Sequence, residues 1–148
     1  MKKQLCGMLI GLTLLVPLTA TAENSTRVGG YTVHHSAFTT DTLSPQIAKN
    51  YGIQRSKSRG MLNVSVIKDA PGTTGQSTQA EIEVMASDVL TGHARHVDMR
   101  EIKEENVYYY IGDFPVADRE TLNFTIEVKP QDAAKTYTAT LRQQFFTK

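Results

Sequence analysis

Residues 122–129 read LNFTIEVK, and this stretch decides the fold. Leu122, Phe124, Ile126 and Val128 alternate strictly with Asn123, Thr125, Glu127 and Lys129. Successive side chains of an extended chain point to opposite sides, so a period of two gathers the apolar set on one face and the polar set on the other. A helix would scatter the same residues around its circumference. Pro130 closes the run, because proline has no N–H to give to a strand ladder.

The same pattern extends in both directions. Downstream, Tyr137, Ala139, Leu141, Gln143 and Phe145 share one face of a last strand. Upstream, VYYYIGDF at 107–114 is dense in β-favouring residues, and with 122–129 it is expected to lie centrally. Placing Tyr109 in the core beside Val107 and Ile111 sends Tyr108 and Tyr110 to the opposite face. Ala80, Ile82, Val84 and Ala86 alternate with Glu81, Glu83 and Met85, and a weaker, polar strand through Val97 and Met99 reads as an edge. Leu62, Val64 and Val66 alternate with Asn63 and Ser65 before the turn-rich DAPGTTGQ, and YTVHHSAF at 31–38 puts Tyr31, Val33, His35 and Ala37 on one side.

One short helix is predicted between Leu43 and Gly52: Ser44 can cap it, Pro45 suits its first turn, and Gly52 can take the left-handed conformation that ends it. Ile47, Ala48 and Tyr51 then face a sheet. About seven strands, turns at short intervals and one mini-helix give an all-β, immunoglobulin-like β-sandwich, with a small barrel as the alternative.

Residues 1–22 have the layout of a secretory signal peptide: Lys2 and Lys3, an apolar run from Leu5 to Leu18, then the small triplet Ala20-Thr21-Ala22, with cleavage expected after Ala22. The run is interrupted by Pro17 and falls short of the roughly 20 residues that span a bilayer, so no membrane anchor is expected in the mature form. Cys6 lies at the start of the apolar run rather than at its cleavage end, where a lipoprotein cysteine would have to be, and it is the only cysteine. The mature chain must therefore hold together without disulfides. Residues 23–29 are expected to be a flexible lead-in, and 30–148 one domain. Removing Lys2 and Lys3 from 16 basic residues leaves 14 against 15 acidic ones, a net charge of −1, which argues against nucleic acid as a partner.

The segments YTVHHSAF, LSPQIAKNYGIQRS (43–56), GMLNVSVI (60–67) and REIKEENVYYYIGDFPV (100–116) resemble DUF4426, a family of small exported proteins of Gram-negative bacteria with no known function. The resemblance runs over nearly all of residues 28–146. It implies a periplasmic location and a compact β-sandwich, and it brings no catalytic residue. At position 35 the family pattern is expected to carry tyrosine, so His35 would fill a core place usually held by an aromatic ring.

The residues offer the ingredients of three chemistries. His34, Ser36 and Asp41 are the ingredients of a hydrolase, but no G-x-S-x-G elbow is present. His93, His96 and Met99 offer nitrogen and thioether donors for copper, although His93 and His96 point to opposite faces of an extended strand. Arg55, Lys57 and Arg59 alternate and can form a basic stripe for an anionic glycan, lipid head group or acidic protein. No phosphate loop, zinc-type cysteine pair or EF-hand loop is found, and no cofactor is expected. The reading that results is a non-enzymatic periplasmic binding or accessory domain for an envelope protein or glycan. Its expected interaction surface comprises His34, Arg55, Lys57, Arg59, Tyr108 and Tyr110; periplasmic copper binding is the alternative.

Overall fold

The computed structural model describes residues 24–148. The leader assigned to residues 1–22 lies outside the described residues. The strands are β1 (Ser25–Val28), β2 (Tyr31–Thr39), β3 (Arg59–Lys68), β4 (Gln76–Ser77), β5 (Ala80–Asp88), β6 (Ala94–Val97), β7 (Arg100–Glu104), β8 (Val107–Pro115), β9 (Thr121–Pro130) and β10 (Tyr137–Gln144). A 3-10 turn at Thr40–Thr42 and a helix, α1 (Pro45–Asn50), interrupt the path from β2 to β3.

The strands form two antiparallel sheets, one in the order β1-β2-β3-β8-β7 with β4 also against β3, the other β10-β9-β5-β6. They face each other as a sandwich, as expected. Leu122, Phe124, Ile126 and Val128 are all 1 % exposed or less and meet Val33, Leu62, Val64 and Val66 of the opposite sheet in one core. Phe114 ties the layers at one end, its ring 5.4 Å from Phe124 and 5.8 Å edge-on to Phe145. Burying a large apolar side chain contributes about 1.5–3 kcal/mol, and this core is built from such residues without sulfur bridges.

Three features differ from the sequence reading. Residues 25–28 are not a flexible lead-in but the edge strand β1, joined to β2 by Gly29 and Gly30, both at positive φ (59° and 82°). A two-residue hairpin turn of that twist needs residues without a Cβ penalty. The single weak strand expected through Val97 and Met99 is split: the chain leaves one sheet after Val97 and enters the other at Arg100. The assignment of the triple tyrosine is inverted. Val64 pairs with Tyr110 and Leu62 with Gly112, so Tyr110 is the inward residue, 4 % exposed, while Tyr109 and Ile111 face outward. Alternation alone implies one buried face, and β8 has two, with Tyr110 and Ile111 both buried.

Part of the outer face of that sheet is covered by the excursion from Thr40 to Ser58. Ile53, Met61 and Ile111 form a second small core there, with Phe38, Leu43, Tyr51 and Ile102 packed around it. The helix forms where predicted: the Ser44 hydroxyl accepts from Ile47 N at 3.2 Å, and Pro45 opens the first turn. It stops at Gly52 (φ 62°), where Gly52 N donates to Lys49 O and Ile53 N to Ala48 O, the paired bonds of a Schellman ending.

Candidate functional site

Because α1 is only six residues long, it roofs part of the outer face and leaves a groove beside the second core. The groove has a volume of about 250 Å³. Its floor is Phe38 of β2, Met61 and Asn63 of β3, and Tyr109 and Ile111 of β8; Ile102 and Glu104 of β7 form one wall, and Leu43, Ile47 and Tyr51 the other. Ile47 stands at the mouth with 44 % of its surface in water.

Two polar contacts hold the roof. The Tyr51 hydroxyl donates to Glu104 Oε1 at 2.5 Å, and that carboxylate raises the phenol pKa. The Arg100 guanidinium donates to the Tyr51 carbonyl, placing a positive group at the C-terminal end of α1, where helix carbonyls lack partners. A third polar group has no such partner. Asn63 Oδ1 is buried, lines the groove and accepts no hydrogen bond.

The residues singled out in the sequence do not assemble. His34 is exposed at the far end of the same face, beside Arg27, Asp69 and the 70–75 loop in a polar cleft of about 620 Å³. Asp69 is already engaged there, accepting from Thr32 Oγ1 at 2.7 Å. Arg55 turns back on its own loop, donating to Leu43 O at 2.7 Å and Asp41 O at 2.9 Å. Arg59 pairs with Asp113. Only Lys57 of the expected basic stripe is left with neither an ion pair nor a side-chain hydrogen bond among the described residues, so the stripe does not form. The reason is local: residues 53–58 loop and turn rather than extend.

Tyr110 lies inside the sandwich, its hydroxyl accepting from Ala80 N at 2.7 Å and donating to Glu101 Oε2 at 3.1 Å. Burial pushes its pKa up to about 12. Tyr108 is half-buried against the main core, with Lys103 Nζ 5.5 Å above its ring. Neither tyrosine belongs to an exposed surface patch. Asp41 sits in the 3-10 turn past the end of β2, on a different element from His34 and Ser36, and no hydrogen bond among the described residues joins the three.

The copper donors also separate. His96 projects outward from β6 and His93 lies in the exposed β5–β6 turn, whereas Met99 packs against the core beside Gly112. Among the described residues no three His, Cys, Asp or Glu side chains converge on a metal position. The groove itself was missed because its apolar lining comes from five separate elements; Met61 beside Leu62, both buried, was the one local sign that β3 is covered on two sides.

Residues 25–148 match the family model described as domain of unknown function DUF4426. A DUF4426 family protein from Pseudomonas aeruginosa is similar in structure with a TM-score of 0.71 and 31 % identity, over 84 % of this chain and 94 % of that one. A copper-bound variant of FetP from uropathogenic Escherichia coli shares the fold at a TM-score of 0.60 and 8 % identity, over 84 % and 95 % of the two chains. A copper-bound variant of P19 from Campylobacter jejuni does so at 0.57 and 8 %, over 83 % and 94 %. No functionally curated protein matches the chain.

Proposed function

The chain belongs to the DUF4426 family, and from that premise we propose that it is a non-enzymatic periplasmic binding or accessory domain whose groove beneath α1 receives an apolar side chain of an envelope protein. The observation that carries this reading is Asn63 Oδ1, buried without a partner among apolar walls. A buried acceptor left unpaired costs about 1–3 kcal/mol, and a backbone N–H of a docked segment would satisfy it while its side chain fills the groove. An anionic glycan fits less well, since a sugar brings many hydroxyls and the groove offers few polar groups to meet them. The signal-peptide layout of residues 1–22 supports export. The separation of His34, Ser36 and Asp41 supports a domain without catalysis.

The probe for the groove is N-acetylphenylalanine amide, followed by amide NMR. Shifts confined to Met61, Asn63 and Ile111, weakened about tenfold (~1.4 kcal/mol) in Ile47→Asp, are the expected result. Shifts centred on the polar cleft around His34, or spread evenly over the surface, would refute the groove.

A second reading, copper binding, is favoured by the copper-bound state of two structural neighbours. In this chain it cannot use His93, His96 and Met99 together, so it requires other donors.

A further inference from the structure

We infer that the outer face of the second sheet carries a binding site for a soft monovalent cation, cuprous copper, formed by the Met85 thioether and the His96 imidazole. The site lies on the opposite sheet from the groove and stands independently of it.

The register places these two side chains together. Met85 of β5 is the direct cross-strand partner of His96 of β6. Their neighbours Val84, Ala86 and Val97 are buried, so Met85 and His96 both project to the outside, Met85 with 43 % of its surface exposed. Directly opposed residues on one face have Cβ atoms about 4.5–5.5 Å apart. Methionine's three side-chain torsions let its sulfur close on an ion held by the facing ring.

Two neighbouring features favour a cation there. The His96 Nδ1 atom lies 3.3 Å from Asp98 Oδ1. A carboxylate beside one ring nitrogen fixes the imidazole and leaves Nε2 as the donor, the arrangement common behind metal-bound histidines. One row along the same face, Glu83 stands directly opposite Glu127. Like charges in that position repel, and a cation nearby relieves the repulsion.

The chemistry follows from the donor count. One sulfur and one nitrogen are too few for Zn(II), which takes four ligands. A thioether is a soft donor that selects Cu(I). The remaining coordination position is open to solvent or to a donor from another molecule.

The test uses full-length protein exported to the periplasm of an expressing host and purified from it. Ag(I) serves as the redox-inert probe by NMR, and Cu(I) is measured by chelator competition under reducing conditions. With one equivalent of Ag(I), the Met85 methyl and His96 ring signals are expected to move together. Met85→Leu and His96→Gln are each expected to weaken Cu(I) binding at least tenfold, with His93→Gln and Met99→Leu unchanged. If Ag(I) leaves both signals in place, or Met85→Leu binds Cu(I) as tightly as the parent protein, the site is wrong. Binding of N-acetylphenylalanine amide in the groove is unaffected either way.

Discussion

His35 sits at 3 % exposure, with Nε2 3.1 Å from Thr26 Oγ1 and Nδ1 buried without a partner. Burial lowers its pKa, because the apolar surroundings penalise the charged ring. The unfolded chain therefore binds a proton at a pH where the folded protein does not. The stability contributed by the neutral ring is complete above the unfolded value of about 6.5 and is lost as the pH falls from there towards the lower folded value. His35→Phe keeps an aromatic ring in the core and removes this titration. Chemical-denaturation midpoints measured from pH 7.5 to 5 are expected to fall more steeply for the parent protein than for the variant; parallel curves would contradict the assignment. Single residues also show where the sequence was legible. The inward placing of His35 and of the Leu122 to Val128 set needed only alternation. Tyr110 needed knowledge that β8 is covered on both sides, and that depends on a loop sixty residues away.

At the scale of elements, α1 was readable because each of its signals is local: a hydroxyl cap, a proline in the first turn, a glycine at the end. β1 was not, because four residues with a single large apolar side chain carry little period of their own. The crossing between β6 and β7 was hidden for a different reason. It depends on Gly112 of β8, where an added Cβ would lie 2.6 Å from Met99 Sδ and 2.8 Å from the Asp98 carbonyl oxygen. The chain can change sheets there only because β8 offers no side chain at the point of contact. Gly112→Ala is expected to destabilise the fold by about 1–3 kcal/mol, since backbone as well as the methionine must shift. Urea unfolding reads the loss, and a midpoint equal to the parent's would show that the crossing tolerates the methyl group.

For the whole molecule, cohesion rests on apolar contact between two layers. The only cysteine is Cys6, within the segment expected to be a leader, so a chain cut after Ala22 has no thiol to oxidise. Protein recovered from the periplasm is expected to have the intact mass of residues 23–148 and the same melting temperature with and without reductant. A mass that includes residues 1–22 would overturn the expected export. The sandwich was legible because every core strand repeats one simple rule. The candidate groove was not, because it exists only where an excursion folds back over a finished sheet. That excursion is fastened at its base by Thr40, fully buried, whose hydroxyl donates to Gln54 O at 2.7 Å and accepts from Ser56 N at 2.9 Å. Both ends of the intervening segment are thereby clamped to the frame at a single point. A change in the length of residues 43–53 is thus taken up between two points already fixed to the frame, and its cost falls on the small outer core that Ile53 completes rather than on the sandwich beneath.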